Sequence, residues 1–430
     1  MQLARPELGP LKERNFGLLW LGRSTSMLGD SLGFVATAFA VLAINGSGTD
    51  LGLVVATYSA SSVTFLLIGG VVADRLPRRA VMIGADVVRG LAQLFLAVTV
   101  LTGTATLPLF ILVAFLSGSA TGFFQPASTA LVPQAVSADR LQQGNAMLNL
   151  SGSTAQLAGP VLSGILVATI GAGWVFAIDA VTFGISAVAL AALRLRPMPP
   201  AAHGSFVADF VAGWREVVQR RWLPPALVTF TFINLAFAGF LVLGPLTMAE
   251  SYNGARDWGF VVAMFGLGGL IGGGAALRWR PARPLIAVFL LLALNPLRLF
   301  VLSATPPLLI VLGFVFVASA AMALGDTLWH TTLQRNVPSA SLSRVSSFDW
   351  MVSLAFFPIG AALAGPIADA LGASNAMLLF AIVATVPCLL VLGIPAVRAV
   401  SGRAGPIDDD AAVEDAPVRV DRDVRVSRAS

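Results

Sequence analysis

The sequence predicts an all-α polytopic membrane protein with about twelve transmembrane helices in two six-helix, pseudo-symmetric bundles. Of its 430 residues, 57% are hydrophobic and only 11% are charged, whereas soluble domains carry about 25% charged residues. The apolar residues fall in runs of about 20, which is the length that crosses a bilayer. The loops between these runs alternate between Arg-rich and Arg-poor, as the loops of a polytopic membrane protein do.

Taken in order, the apolar runs predict six spans in each half of the chain. The predicted spans are 16–43, 51–72, 80–101, 107–131, 143–170, 174–193, 223–248, 258–277, 284–303, 306–333, 346–371 and 375–397. The predicted units are an N-terminal bundle (1–193), a linker with an interfacial helix (194–222), a C-terminal bundle (223–397) and a disordered cytoplasmic tail (398–430).

Loop charge predicts the orientation of the chain. One set of alternate loops carries many basic residues, and the other set carries only Arg256. The positive-inside rule then places both termini and the central linker in the cytoplasm of a multi-pass protein of the inner, or plasma, membrane. This difference in loop charge indicates that the number of spans is even. It does not establish the number twelve, because a miscounted pair of helices would leave the charge pattern unchanged.

The composition also excludes several functional classes. The positive charge is almost all Arg in inter-helix loops, which favours lipid headgroups over nucleic acid as its partner. The single cysteine, Cys388, excludes a disulfide framework within the chain. The sequence shows no metal-ligand spacing, nucleophile elbow or phosphate-binding loop. We therefore expect no enzyme activity, no metal and no cofactor, and a protein that works as a monomer.

The two halves of the sequence look related. Gly159 and Gly360 are 201 residues apart, and the same offset separates Gly164 from Gly365 and Gly171 from Gly372. The three glycines of the first half and the three of the second half occupy corresponding positions, which predicts an internal duplication. Two six-helix repeats with a ligand site at the membrane midplane between them are a typical layout of secondary transporters.

The turn between spans two and three carries a family signal. The residues Gly70-Val71-Val72-Ala73-Asp74-Arg75-Leu76-Pro77-Arg78-Arg79 resemble the loop 2–3 signature of the major facilitator superfamily, with Pro77 where a second Gly is usual. Within that superfamily the chain is most similar to the enterobactin-exporter-like and macrolide-efflux-like branch, through Phe124-Gln125-Pro126-Ala127, Leu131-Val132-Pro133 and Leu333-Gln334.

The resemblance implies a cytoplasmic gate formed by Gly70, Asp74, Arg75, Arg78 and Arg79. In the family, the Asp of this loop is thought to clamp the two halves in the outward-facing state, next to the start of span eleven. The alternative for the arginines is that they only set topology or hold lipid headgroups.

Span five contains Gly159-Pro160-Val161-Leu162-Ser163-Gly164. This run resembles the end of the family's antiporter motif, with Ser163 in place of one Gly. Proline with flanking glycines bends a helix and lets a neighbour approach. The prediction is therefore a bend at Gly159, Pro160 and Gly164 that shapes the cavity, and the alternative is helix packing alone.

Charged residues inside spans are costly and are functional candidates. Asp30 lies in span one with Arg23 on the same face, and Asp326 lies in span ten. A carboxyl group in an apolar cavity is able to exchange a proton as the cavity opens alternately to the two sides of the membrane, or to pair with a cationic substrate. Phe124 and Gln125 of span four are candidates for lining an aromatic cavity. The alternative is a fixed pairing, of Asp30 with Arg23 or of Asp326 with a neighbouring polar group, and for the two residues of span four it is lipid-facing packing.

Five further charged residues are weaker candidates. Asp86 and Arg89 are three residues apart in span three and are predicted to form a local structural ion pair. The sequence assigns no role to Asp179, Arg298 or Asp349.

The sequence thus predicts a secondary active transporter that exports small amphipathic or hydrophobic compounds, drug-like or siderophore-like, by proton antiport through alternating access. Its expected partners are a small-molecule substrate, protons and the lipid bilayer. The alternative is an importer, or a transporter of another small metabolite, that is not coupled to protons. The sequence does not determine the substrate.

Overall fold

In the computed structural model of the chain, the described residues are 9–44, 46–137, 140–194, 214–276, 278–337 and 355–401, with 345–346, 348–349 and 351–352. The side chains of 67, 70–75, 130 and 142 are not described. The described part is helical and contains no strand, which confirms the predicted fold class.

The first half of the chain forms six long helices after a 3-10 turn at Pro10–Lys12. They are α1 (Arg14–Ala43), α2 (Gly48–Arg75), α3 (Arg78–Leu101), α4 (Leu107–Ala135), α5 (Leu141–Ile170) and α6 (Ala172–Ala191). Only Leu76 and Pro77 separate α2 from α3, so this connection is the tight turn that the sequence predicts.

The second half has the same order with more interruptions. Its helices are α7 (Leu223–Ser251), α8 (Ala255–Ala276), α9 (Pro284–Leu292), α10 (Leu297–Ser303), α11 (Leu308–Asn336), α12 (Phe357–Leu371), α13 (Ala373–Leu390) and α14 (Pro395–Ala399). The start of predicted span eleven and the tail beyond Ser401 lie largely outside the described residues.

The predicted ninth span, Pro284–Ser303, is long and apolar enough to cross a membrane, but its helix is interrupted. This span is divided into α9 and α10 by a turn over residues 293–296. Pro296 is the physical reason, because a proline in a helix removes a backbone donor and clashes with the preceding turn.

Within the described part of the chain, ten helical segments are long and apolar enough to cross a membrane, and Phe357–Leu371 is a shorter apolar helix. Together with the 28-residue α2, helix occurs at each of the twelve predicted span positions. The chain is a multi-pass membrane protein.

Within each half the helices pack as neighbours, and the two most extensive contacts between the halves each pair one helix from either side. In the first half α2 packs on α4, α6 packs on both α1 and α3, and α5 packs on α1. In the second half α8 packs on α11, and α7 packs on α12 and α13. Between the halves, α5 packs on α8 and α2 packs on α12.

The glycines repeated at an offset of 201 residues occupy equivalent places. Gly159 faces Ser31 of α1, and Gly360 faces Leu235 of α7, which is the corresponding helix of the second half. Gly171 and Gly372 both have a positive φ, +86° and +83°, at the start of α6 and α13. Only glycine adopts such a φ without strain. These matched environments support the predicted duplication.

The third pair, Gly164 and Gly365, lies where the halves meet. A Cβ on Gly164 would lie 2.5 Å from the Ala255 carbonyl oxygen of α8, and a Cβ on Gly365 would collide with the Thr49 backbone of α2. Both contacts lie near the Arg-poor face, which we define as the side with the α1–α2, α3–α4 and α7–α8 connections. Thr49 Oγ1 also donates a hydrogen bond of 2.6 Å to Asp369 there. The two halves are therefore closed against each other at this face.

Candidate functional site: a charged cavity in the first half

A cavity of about 380 Å³ lies among α1, α2, α3 and α4, with Leu241 of α7 and Phe357 of α12 at its border. Its wall is mainly apolar. The polar groups that reach it include Asp30, Arg89, Tyr58 and Gln93. An apolar cavity with a few converging polar groups is the usual form of a small-molecule site.

Asp30 and Arg89 form the centre of this polar group. Arg89 Nη1 lies 3.2 Å from Asp30 Oδ2. The Asp30 side chain is 44% exposed, whereas that of Arg89 is only 3% exposed. The acid therefore faces the cavity, and its cationic partner is enclosed by protein. A proton or a cationic ligand that enters the cavity can reach Asp30 and compete with Arg89 for it.

Arg89 is also held from behind by Asp86. Its Nη2 donates to Asp86 Oδ1 at 2.5 Å, which confirms the local ion pair expected from the sequence. Ser186 of α6 donates to the other Asp86 oxygen at 2.6 Å. The guanidinium group also lies between two rings, 4.6 Å from the centroid of Phe124 and 4.4 Å from that of Phe183. These contacts hold Arg89 in place while Asp30 is free to change partner.

Asp179 of α6 is a further buried acid beside this pair. It packs against Gly29 and Gly33 of α1, where a Cβ on Gly33 would lie 2.8 Å from its Oδ2. Thr182 Oγ1 donates to Oδ1 at 3.3 Å, and the Gln93 side chain lies beside Oδ2. Asp179 forms no ion pair within the described residues. The two glycines, one helical turn apart, provide the space for this carboxyl group.

The structure separates the residues that the sequence proposed for one cavity. Asp30 lies in the cavity, but its partner is Arg89, so the alternative that pairs it with Arg23 is wrong. Phe124 is buried against Arg89, and Gln125 is exposed; neither residue lines the cavity. Sequence reasoning gave Arg89 only a structural role and gave Tyr58 none, although both line the cavity.

Asp326 belongs to a different place, on α11 of the second half. It is exposed and lies one turn before His330. Nearby, Trp329 Nε1 donates to the buried Asp349 at 2.9 Å. Asp326 is therefore not brought together with Asp30.

The predicted gate is described only in part. The side chains of Gly70, Asp74 and Arg75 lie outside the described ones, so their role stays a prediction. Arg79 donates hydrogen bonds to the carbonyl oxygens of Ala191 and Leu193 at the end of α6. This contact caps a helix C-terminus, where a cation and added donors are favourable.

Replacing Arg79 with Ala is expected to reduce stability by about 1 kcal/mol, because the last carbonyl groups of α6 lose their donors. Transport per folded molecule should remain near that of the wild type. Thermal unfolding in detergent and transport after equal reconstitution test the two statements. A large loss of transport with unchanged stability would instead favour the gating role of this arginine.

The predicted bend in span five is a packing site. The helix α5 continues through Pro160. Gly159 contacts α1 and Gly164 contacts α8, and a Cβ on Gly259 of α8 would lie 2.6 Å from the Pro160 carbonyl oxygen. These contacts show the packing alternative, and the role of the segment in shaping the cavity stays a prediction.

Paired helical halves with a charged cavity inside apolar spans define a membrane transport protein. The chain belongs to the Major Facilitator Superfamily, whose model matches residues 19–353. This membership confirms the family resemblance read from the sequence.

Several curated relatives are efflux proteins. The multidrug efflux pump Tap of Mycobacterium tuberculosis (strain ATCC 25618 / H37Rv) is 26% identical over 386 residues, which cover 86% of this chain and 91% of the relative. The enterobactin exporter EntS of Escherichia coli O1:K1 / APEC is 28% identical over 363 residues, which cover 81% and 84%. The relatives are transporters and not enzymes.

Solved structures show the same fold. The nucleoside transporter NupG superposes with a TM-score of 0.70 at 13% identity, covering 89% of this chain and 98% of that one. A bacterial homologue of the human lysosomal transporter spinster, in an inward-facing and unoccupied conformation, gives a TM-score of 0.67 at 13% identity, covering 90% and 97%.

Proposed function

We propose that this protein exports small amphipathic or hydrophobic compounds in exchange for protons, with Asp30 as the coupling acid. The observation that carries the proposal is the unequal exposure of the Asp30–Arg89 pair: the acid faces the cavity and the buried base holds it from behind. Efflux by the relatives Tap and EntS supports the direction of transport.

The exchange follows from competition at one carboxylate. When Asp30 is ionised, it pairs with Arg89 or with a cationic group of the substrate. When a proton binds Asp30, both attractions weaken, and the substrate is released. Proton and substrate therefore occupy the site in turn, which is the requirement for antiport.

Asp179 supplies a second acid for this exchange. An ionised carboxylate at its position would be buried with only the neutral side chains of Thr182 and Gln93 beside it and no ion pair within the described residues, which is costly inside a protein. We assign to Asp179 a proton that stays enclosed while Asp30 exchanges its own with the cavity. The proposal thus uses two neighbouring acids.

The Arg-rich face, which carries the α2–α3, α4–α5 and α8–α9 connections, is proposed to be cytoplasmic. Arg78, Arg79, Arg140, Arg278 and Arg280 lie there, and Arg256 lies at the opposite face. By the positive-inside rule both termini are then cytoplasmic in an inner-membrane protein. The halves meet at the Arg-poor face, which is the closure that an inward-facing state requires.

The test is transport in proteoliposomes with an imposed pH gradient, with ethidium as the cationic amphipathic probe. Asp30→Asn is expected to reduce gradient-driven uptake by roughly ten-fold or more, because an amide side chain does not gain or lose a proton near neutral pH. Ethidium exchange without a gradient should persist. Asp326→Asn is the matched control, because Asp326 is an intramembrane acid outside the cavity.

Two results would contradict the proposal. Gradient-driven uptake by Asp30→Asn at the wild-type rate would remove Asp30 as the coupling acid. Wild-type transport that does not respond to the gradient would exclude proton antiport altogether and favour a transporter that is not coupled to protons.

A further inference from the structure

Arg298 lies in the first turn of α10 and is a second buried arginine inside the membrane. It is 1% exposed. Three rings surround its guanidinium carbon, with centroids at 4.8 Å (Phe237), 4.7 Å (Phe240) and 5.5 Å (Phe265). The position is therefore an aromatic box closed around one cation.

The hydrogen-bonding capacity of Arg298 is largely unused. Its Nη2 donates to Asn295 Oδ1 at 2.6 Å. Its Nε and Nη1 have no partner, and neither has Asn295 Nδ2. Within the described residues, Arg298 forms no ion pair with a carboxylate. Arg89 on α3 of the first half, by contrast, binds two carboxylates.

An unpaired cation in this place is unfavourable for the folded protein by itself. Removing a guanidinium group from water without a counter-charge is costly, and attraction to ring faces offsets only part of that cost. The unused donors of Arg298 are therefore available to bind an anion from outside the described part of the chain.

The Phe237 ring connects Arg298 to the border of the cavity of the first half. Phe237 stacks on Phe265 with centroids 5.6 Å apart, and it meets Phe357 edge-on at 6.1 Å. Phe357 lines the cavity, and Phe237 and Phe265 are both partly exposed. Movement of these two side chains would be needed for the guanidinium group to contact a ligand in the cavity.

We propose that Arg298 is the anion-binding element of the substrate site, and that the protein accepts compounds in which a carboxylate is attached to an apolar or aromatic body. The carboxylate would accept hydrogen bonds from the unused nitrogens, and the body would replace the contacts of Phe237 and Phe265. The inference rests on the proposed function, because it assigns a substrate class to the same transporter.

Binding of two matched probes to the purified full-length protein tests the proposal. 2-Naphthoate and 2-naphthamide have the same shape, and only the first is charged. The wild type is expected to bind naphthoate more tightly. Arg298→Met should lower naphthoate affinity by roughly ten-fold or more and leave naphthamide unchanged. Arg298→Lys should retain part of the preference. Arg256→Met is the control, because Arg256 is exposed beside the Phe260 ring at 6.0 Å.

Stability without ligand separates a binding role from a structural one. Arg298→Met is expected to raise the midpoint of thermal unfolding, because it removes a buried, unpaired cation. A structural arginine would lower that midpoint when replaced. Phe237→Ala is expected to increase the rate of naphthoate association in the presence of Arg298, because the ring no longer covers it.

The proposal is overturned if the wild type does not prefer naphthoate, if Arg298→Met keeps the preference, or if Arg298→Met lowers the unfolding midpoint. These failures are distinguishable from failure of the proposed function. Ethidium transport driven by a pH gradient tests Asp30 alone and persists in Arg298→Met if only the anion site is misassigned.

Discussion

Replacing Arg89 with Met is expected to abolish transport and to reduce the free energy of unfolding by about 3–5 kcal/mol. Asp86 is fully buried and would lose Arg89 as its cationic partner, while the hydroxyl of Ser186 remains. Asp30 would also lose the group that holds it at the cavity wall. Unfolding in detergent and transport after reconstitution measure the two effects.

A double variant separates these two roles of Arg89. Arg89→Met combined with Asp86→Leu removes both buried charges, so most of the lost stability should return. Transport should not return, because Asp30 still lacks its partner. Arg256→Met is the control for loss of an exposed arginine and should leave both quantities unchanged. A single Arg89→Met variant with wild-type stability would show that the buried pair does not stabilise the fold.

Replacing Gly365 with Val is expected to reduce transport by at least roughly a hundred-fold, which corresponds to a penalty of about 3 kcal/mol on closure. A Cβ at this position collides with the backbone of Thr49 across the interface of the two halves, and backbone does not move aside as a flexible side chain does. The halves would then be unable to close at the Arg-poor face.

Labelling of one introduced cysteine measures this effect. Val54 is buried and lines the cavity, so Val54→Cys in a Cys388→Ser background reports access to it. In Gly365→Val, an impermeant maleimide added on the Arg-poor side should label this cysteine faster. Gly184→Val is the matched control, because Gly184 is exposed on α6 with no atom near its added Cβ. Equal labelling rates in the parent protein, Gly365→Val and Gly184→Val would contradict closure at Gly365.

Much of the fold could be predicted from the sequence, because span length and loop charge are local properties. Two of the three glycine pairs repeated at an offset of 201 residues lie at contacts between helices, and the third lies at matching turns, so their spacing was informative about structure. Pro296 is a sequence signal for the interruption of span nine. The prediction did not use it, because it was based on the length of the apolar run. An apolar run shows that a segment crosses the membrane, but not that its helix is continuous.

The candidate site was harder to predict, because sequence spacing gives neighbours only within one helix. Arg23 shares a helix face with Asp30, whereas Arg89 comes from another helix 59 residues further along the chain. Which faces of α1 and α3 meet depends on how both helices pack on α6. Gly29 and Gly33 carry a signal of this packing, since their spacing makes room on α1 for the Asp179 carboxyl group.

The closed interface between the halves has a thermodynamic consequence. Gly164 and Gly365 contact backbone atoms, so these two contacts order no side chain of their own when they form. The side-chain entropy lost on closure is then confined to neighbours such as Thr49 and Asp369, which share a hydrogen bond at this face. Glycine at both positions therefore lowers the entropic cost of each closure.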